Sequence, residues 1–282
     1  MSTAERNQLT ERDMAAFAPD LKVGLVATKD PAGRPHISLI TSLAARDAGH
    51  LMWGQFTEGR SKRYPRQRPE VGFAVMTLDR RVWHGRARWL RAETGGPDHR
   101  AYNRRPMFRY NAYFGIHTVH QLELLAVTGP RRLPLAGLLA GQAALAARRL
   151  LPNRRQPVLN AWSRAHLAAA LTIKFAAWVD EAGFPRIVPG VACAPLGGGA
   201  LGLVPAANGR ALRAIPAGSS LAVFGLNLQT ESVLVRGTFS GFAGRGPLAL
   251  GRLAIDFVYN SMPPLPGPIH PPQPLQPVEH FD

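Results

Sequence analysis

The sequence has a single cysteine in 282 residues, Cys193, so an internal disulfide is excluded and a small buried apolar role is expected for it. Acidic residues are scarce: 18 stand against 34 basic ones, for a formal net charge of +16. Such a field attracts phosphates, nucleic acid or an anionic membrane surface. The uncharged stretch from Leu133 to Ala147 is broken by Pro134, Gly137 and Gly141 and is shorter than the roughly 20 residues that span a bilayer, so no transmembrane segment is expected. No charged-then-apolar leader opens the chain, and a reducing cytoplasm is the expected location. No P-loop, GxGxxG fingerprint or Ser-His-Asp context is visible, which leaves kinase and hydrolase readings without support. RRM signatures and zinc-finger spacings are missing too, so no nucleic-acid partner is expected.

What is present is a repeat. Lys22, Gly33, Gly59-Arg60 and Gly85 in the first half recur as Lys174, Gly183, Gly209-Arg210 and Gly237, at offsets of 150 or 152 residues. An offset of that size points to duplication of a whole small domain rather than a solenoid. Short β-rich runs at 23–29, 36–43, 50–56, 70–77 and 81–93 are separated by turn signals such as Asp30-Pro-Ala-Gly33. A strand-like pattern returns from Ala112 to Thr128. In the second half the runs fall at 173–179, 186–194, 200–204, 220–226 and 231–242. Many short strands with no long helix between them predict antiparallel barrels.

Helices are expected at the N-terminus, with Thr10 or Asp13 as cap, and over the Ala- and Leu-rich stretches Leu133–Leu151 and Val158–Leu171. The tail from Met262 carries eight prolines, which predicts extended structure without helix or sheet. The expected domains are 1–130, a helical linker at 131–171, a second barrel at 172–261 and the tail at 262–282.

Chemistry concentrates in Phe56-Thr-Glu-Gly-Arg60-Ser61-Lys62-Arg63-Tyr64, where a hydroxyl and three cations follow a strand at a glycine hinge. Such a cluster offers charge-assisted hydrogen bonds to a phosphate dianion. Tyr102, Tyr110, Tyr113 and Phe114 are read first as core and second as a substrate pocket. His84 is either a half-buried histidine or a proton donor.

Between residues 20 and 125 the order of elements resembles the flavin-binding split barrels typified by pyridoxamine 5'-phosphate oxidase. The matching parts are the Gly33-Arg34-Pro35 turn, the Thr57 to Lys62 phosphate turn, the run from Pro69 to Val75, and Arg80 to Ala87. The resemblance implies two tandem split β-barrels forming an intrachain pseudo-dimer, a mainly β fold with some α joined by helices, and a further homodimer as an option. It implies FMN, with deazaflavin F420 or heme as alternatives, and an oxidoreductase acting on a small organic substrate. Thr57, Arg60, Ser61 and Lys62 would hold the cofactor phosphate, Ser38, Thr41 and Arg81 would border the flavin, and His84 with Arg81 would be the catalytic pair. Two departures stand out: the phosphate turn is one residue shorter than in the oxidase, and the arginine of the second strand is replaced near Ser38. In the second copy Ala211 and Leu212 stand where the first has Ser61 and Lys62, which predicts one cofactor per chain. The other readings are a non-catalytic flavin, F420 or heme carrier, and a basic module for nucleic acid or lipid surfaces.

Overall fold

Alternation of apolar residues in the first half resolves, among the described residues, into seven strands and three helices. The computed structural model describes residues 4–56, 59–105, 115–148, 158–197, 199–247, 249–260 and 267–273. Helix α1 (Glu11–Phe17) is opened by Thr10, whose hydroxyl accepts from the Asp13 amide while the Asp13 carboxylate accepts from the Thr10 amide, a capping box. There follow β1 (Val23–Lys29), β2 (Pro35–Leu39), β3 (Ala44–Asp47), β4 (His50–Gln55), α2 (Arg60–Gln67), β5 (Glu70–Met76), β6 (Arg81–Glu93), α3 (Gly96–Asn103) and β7 (Thr118–Arg132). They form one antiparallel sheet in the order β2-β1-β5-β6-β7-β4-β3.

Helices α4 (Leu135–Arg148) and α5 (Ala161–Ala168) lead to a second set: β8 (Ile173–Val179), β9 (Pro185–Pro189), β10 (Ala192–Gly197), β11 (Ala200–Val204), α6 (Gly209–Arg213), β12 (Ser220–Leu226), β13 (Ser232–Ala243) and β14 (Leu250–Asn260). Read from the other end, the second sheet runs β9-β8-β12-β13-β14-β11-β10, the same order as the first. No helix among the described residues is long and apolar enough to cross a membrane.

The two sheets correspond at a constant offset of 150 through their first five strands: Leu25 pairs with Ala74 as Phe175 pairs with Phe224. The β1–β2 and β8–β9 turns are the same turn, with Gly33 at φ 78° and Gly183 at φ 80°, values that favour glycine. The landmarks offset by 152 do not correspond in the structure. Gly85 pairs with Phe73, and the matching partner of Val223 is Val235; Gly237 matches Ala87 instead. Lys22 precedes β1, whereas Lys174 lies inside β8.

Three differences from the sequence reading concern strands. The run 186–194 is two strands, because Gly190 at φ 75° turns the chain between β9 and β10. The short β3 and the long β14 had no signal of their own. The tail also contributes a strand: β15 (Gly267–His270) pairs with β14 at its edge, the place where a strand proline is tolerated.

Burial follows strand parity. Val26 of β1 turns into a core with Phe17, Trp53 and Phe73, while its neighbours Leu25 and Ala27 meet Phe175, Ala177, Phe224 and Tyr259 of the second sheet. Strands β1 and β8 are therefore apolar on both faces, and the sheets share a central layer. One ion pair crosses that layer. Arg236 of β13 donates to the Asp30 carboxylate at 3.0 Å, with only 3% and 6% of the two side chains exposed. Asp30 also accepts from the Ala32 and Arg34 amides and from Arg34 Nε at 2.9–3.0 Å. Burial would raise the Asp30 carboxyl, but the Arg34 amide and the Arg236 and Arg34 guanidiniums together hold it below the ordinary carboxylate value.

Breaking one member of a buried pair strands the other charge. Asp30→Asn is expected to cost about 3–5 kcal/mol in urea denaturation, and adding Arg236→Leu in the same chain to recover part of that loss.

Candidate functional site

Helix α2 is preceded by Gly59, an extended residue with φ −150° that has no side chain to cap it, so among the described residues no N-cap side chain accepts from the first amide groups. Its buried face is Ser61 and Pro65, four residues apart and hence on one side. The other side chains diverge. Arg60 and Arg63 line a cleft between the two sheets. Lys62 is half-buried and leans back over Gly59; burial lowers its pKa, and its charge helps lower that of His120. The expected cluster at 60–62 is thus divided: Arg60 reaches the inter-sheet cleft, Ser61 lies under the helix and Lys62 folds over its start. Thr57 lies outside the described residues.

The cleft measures about 780 Å³. The β1–β2 turn supplies Asp30 and Arg34, α2 supplies Arg60, Arg63 and Tyr64, and the second sheet supplies Arg236 and Phe257. Phe257 and Tyr259 stack 6.1 Å apart at 14°. The Arg60 guanidinium lies 4.8 Å from the Tyr259 ring centre and 5.2 Å from that of Phe257, and Arg236 lies 4.6 Å from Phe257. These distances are within cation–π range. Four guanidiniums from three elements therefore line the cleft, and two of them, Arg60 and Arg236, lie over the aromatic pair.

Beside them is His36 of β2, 1% exposed, with its ring edge-on to Tyr64 at 5.8 Å and to Tyr259 at 5.1 Å. Neither ring nitrogen has a hydrogen-bond partner among the described residues, and the same holds for the hydroxyl of Thr28, its neighbour across β1–β2. Burial, then Arg60 and Arg236, lower the His36 pKa to about 3, so the ring is neutral. His120 is a contrasting case. Trp89 Nε1 donates to its Nδ1 at 3.0 Å, its Nε2 lies 2.7 Å from Gln55 Oε1, and Trp53 stacks on it at 5.2 Å. Its pKa is also lowered, to about 4, chiefly by burial, but all its polar atoms are used. Unsatisfied buried polar atoms cost free energy, and those of His36 and Thr28 lie behind Tyr64 and Tyr259 at the cleft.

The remaining sequence candidates lie apart. Ser38 is buried on the His36 face of β2, and Thr41 is half-buried in the turn after it. Arg81 is exposed and pairs with Asp79 at 2.6 Å at the β5–β6 hairpin, lining neither cleft. His84 lines a second, larger cleft of about 1250 Å³; its pKa falls to about 4 through burial and then Arg186 and Arg131. Tyr102 is core, donating its hydroxyl to the Ser42 and Met52 carbonyls at 2.7 and 3.1 Å. Tyr110, Tyr113 and Phe114 lie outside the described residues. Sequence reasoning missed Asp30, Arg236, Phe257 and Tyr259 as site residues, because nothing local joins positions more than 200 residues apart.

No protein-family model matches the chain, and no curated protein matches it. Several solved structures are similar. A candidate pyridoxamine 5'-phosphate oxidase from Lactobacillus delbrueckii aligns at 18% identity over 46% of this chain and 100% of its own, with a TM-score of 0.37. An FMN-binding protein from Syntrophomonas wolfei aligns at 9% identity over 40% of this chain and 80% of its own, TM-score 0.35. A FAD-binding protein from Mesorhizobium loti aligns at 16% identity over 44% and 98%, TM-score 0.30.

Three histidines, at positions 36, 84 and 120, have folded pKa values of about 3 to 4, below the ordinary value of about 6.5. The folded state binds fewer protons than the unfolded state in that interval, so stability is full above about pH 6.5 and falls as pH drops toward 4. Urea denaturation across this range is expected to show the slope, and His36→Leu to reduce it while raising stability at pH 7 by about 1 kcal/mol.

Proposed function

We propose that this chain is a flavin-binding oxidoreductase for a small organic substrate, built as two split barrels related by tandem duplication, and that it holds FMN at α2 and the adjoining cleft. The single observation that carries the reading is the convergence of Arg34, Arg60, Arg63 and Arg236 on one cleft, with Arg60 and Arg236 over stacked Phe257 and Tyr259, next to the unpartnered His36 and Thr28. Cations suit a phosphate-bearing tail, and a flat apolar wall with orphaned donors and acceptors suits a polar ring system.

The residues present fit the group. The first turn of α2 would hold the phosphate through its backbone amides and Arg60, with Lys62 adding charge over the helix start and Ser61 packing beneath it. When bound, the flavin supplies the electron chemistry, and the protein contributes orientation and electrostatics. Arg236 is fixed and neutralised by Asp30 and would offer a directed N–H donor on the cleft wall, while Arg60 would supply the charge that favours an anion developing on a bound ring. His36, neutral at ordinary pH, keeps one N–H to donate and one lone pair to accept, and it orients a polar edge rather than competing for the anion. Phe257 and Tyr259 exclude water from one side, which strengthens both effects. His84 and Arg81 have no part in this arrangement; the charge role assigned to Arg81 passes to Arg60.

Purified protein is expected to be yellow and to release FMN on denaturation, read by visible absorbance and mass spectrometry of the small-molecule fraction. Arg60→Ala with Lys62→Ala abolishes retention, and Arg213→Ala leaves it intact. A double variant that keeps its cofactor would place the phosphate elsewhere.

A further inference from the structure

The larger cleft occupies the place in the second half that the α2 cleft occupies in the first, and its chemistry is different. At the 150-residue offset His36 corresponds to Arg186, Tyr64 to Ala214 and Arg60 to Arg210. The strand bulges also match, between Arg86 and Ala87 on β6 and between Arg236 and Gly237 on β13, which places Arg86 opposite Arg236. Ala126 and Thr128 then stand where β14 has Phe257 and Tyr259. Three aromatic rings are replaced by small side chains, and the space grows from about 780 to about 1250 Å³. The lost aromatic wall removes the platform for a flat ring, while the cations remain.

Arg131 and Arg132 at the end of β7 and Arg210 face this space, and none of the three has an ion-pair partner among the described residues. Three carboxylates already line it: Glu5, Asp180 and Glu181. Glu5 lines the cleft, with its oxygens 3.2 Å from Arg86 and 3.6 Å from Arg186. Its position is set by the chain beside it: Arg6 exchanges both backbone hydrogen bonds with Val127 at 2.7 and 2.9 Å and pairs with the buried Asp13 at 2.8 Å. Asp180, the counterpart of Asp30, is left with Arg186 at 3.8 Å. The N-terminal segment thus inserts a carboxylate between two arginines, while Arg131, Arg132 and Arg210 share the cleft with Asp180 and Glu181 without pairing with either among the described residues.

We infer that the larger cleft is a second, separate binding site for a small organic polycarboxylate, with Glu5 as a built-in competitor for part of it. The site does not depend on the α2 cleft or its cofactor. The ligand's first carboxylate displaces Glu5 from Arg86 and Arg186, and its others meet Arg131, Arg132 and Arg210. Phosphate offers one anionic group where the ligand offers several, and binds more weakly.

The test is calorimetric titration of the full chain with citrate, and separately with inorganic phosphate, at one fixed ionic strength. Citrate is expected to bind saturably and more tightly than phosphate. Glu5→Gln tightens it about three-fold, the scale of one partly exposed ion pair. Arg131→Ala with Arg132→Ala weakens it about ten-fold or more, a loss of about 1.4 kcal/mol. Arg60→Ala leaves it unchanged, as does Arg245→Ala with Arg252→Ala, which removes the same charge at exposed positions outside the cleft. Absence of saturable citrate binding to the wild type and Glu5→Gln overturns the inference. So does an equal loss in the Arg245 and Arg252 variant, which would reveal a general field effect, or a loss in Arg60→Ala, which would move the ligand to the other cleft. Thermal unfolding of each variant confirms that it is folded.

Discussion

The ion pair between Asp30 and Arg236 joins what the sequence keeps 206 residues apart. Asp30 organises the first β-turn through two backbone amides and at the same time neutralises a guanidinium from the opposite sheet. Because both groups are nearly dry, neither can be charged without the other. The turn, the inter-sheet layer and one wall of the α2 cleft are thereby set by the same contact. The central apolar layer supplies most of the attraction between the sheets, but it is non-directional, and the ion pair fixes which side chains face each other across it.

A single plan yields two clefts with opposite tendencies. In both, a turn carboxylate, a strand arginine and a short helix meet between the sheets. Around α2 the additions are aromatic, and the orphaned atoms of His36 and Thr28 stay buried beside them. Around α6 the additions are small, and the N-terminal segment provides Glu5 in their place. Each sheet gives residues to both clefts, so a substitution on β6 or β13 alters the cleft facing it and leaves the other alone. Joining both halves in one chain lets the clefts diverge, which two identical subunits could not do.

Much of this was legible in the sequence. The capping box at Thr10, the glycine turns at 33 and 183, and most strand runs follow from local rules of backbone conformation and parity. The matched strand order could be anticipated from the repeat, although the 152-residue landmarks, Lys174 and Gly237, misled on register because similar residues two positions apart lie on the same face of a strand. Strand β14 was not read from the sequence, although it lies within the expected second barrel: its Arg252, Ala254 and Asp256 face solvent and interrupt the apolar run. The candidate site was legible at Arg60, which lies on a glycine-hinged turn. Arg236, Phe257 and Tyr259 were not, since their role depends on a partner strand that no local pattern names.

Strand β14 bears the aromatic pair, and its outer edge is covered in two pieces. Strand β11 pairs with its first half, through Ala254, and β15 with its second, from Val258 to Asn260. Without β15, the half holding Phe257 and Tyr259 would be an unprotected sheet margin, open to strands from neighbouring molecules. Pro271, immediately after β15, also lines the α2 cleft. The strand that guards the sheet margin thus also leads the chain onto the α2 cleft through Pro271, as Glu5 brings it onto the other.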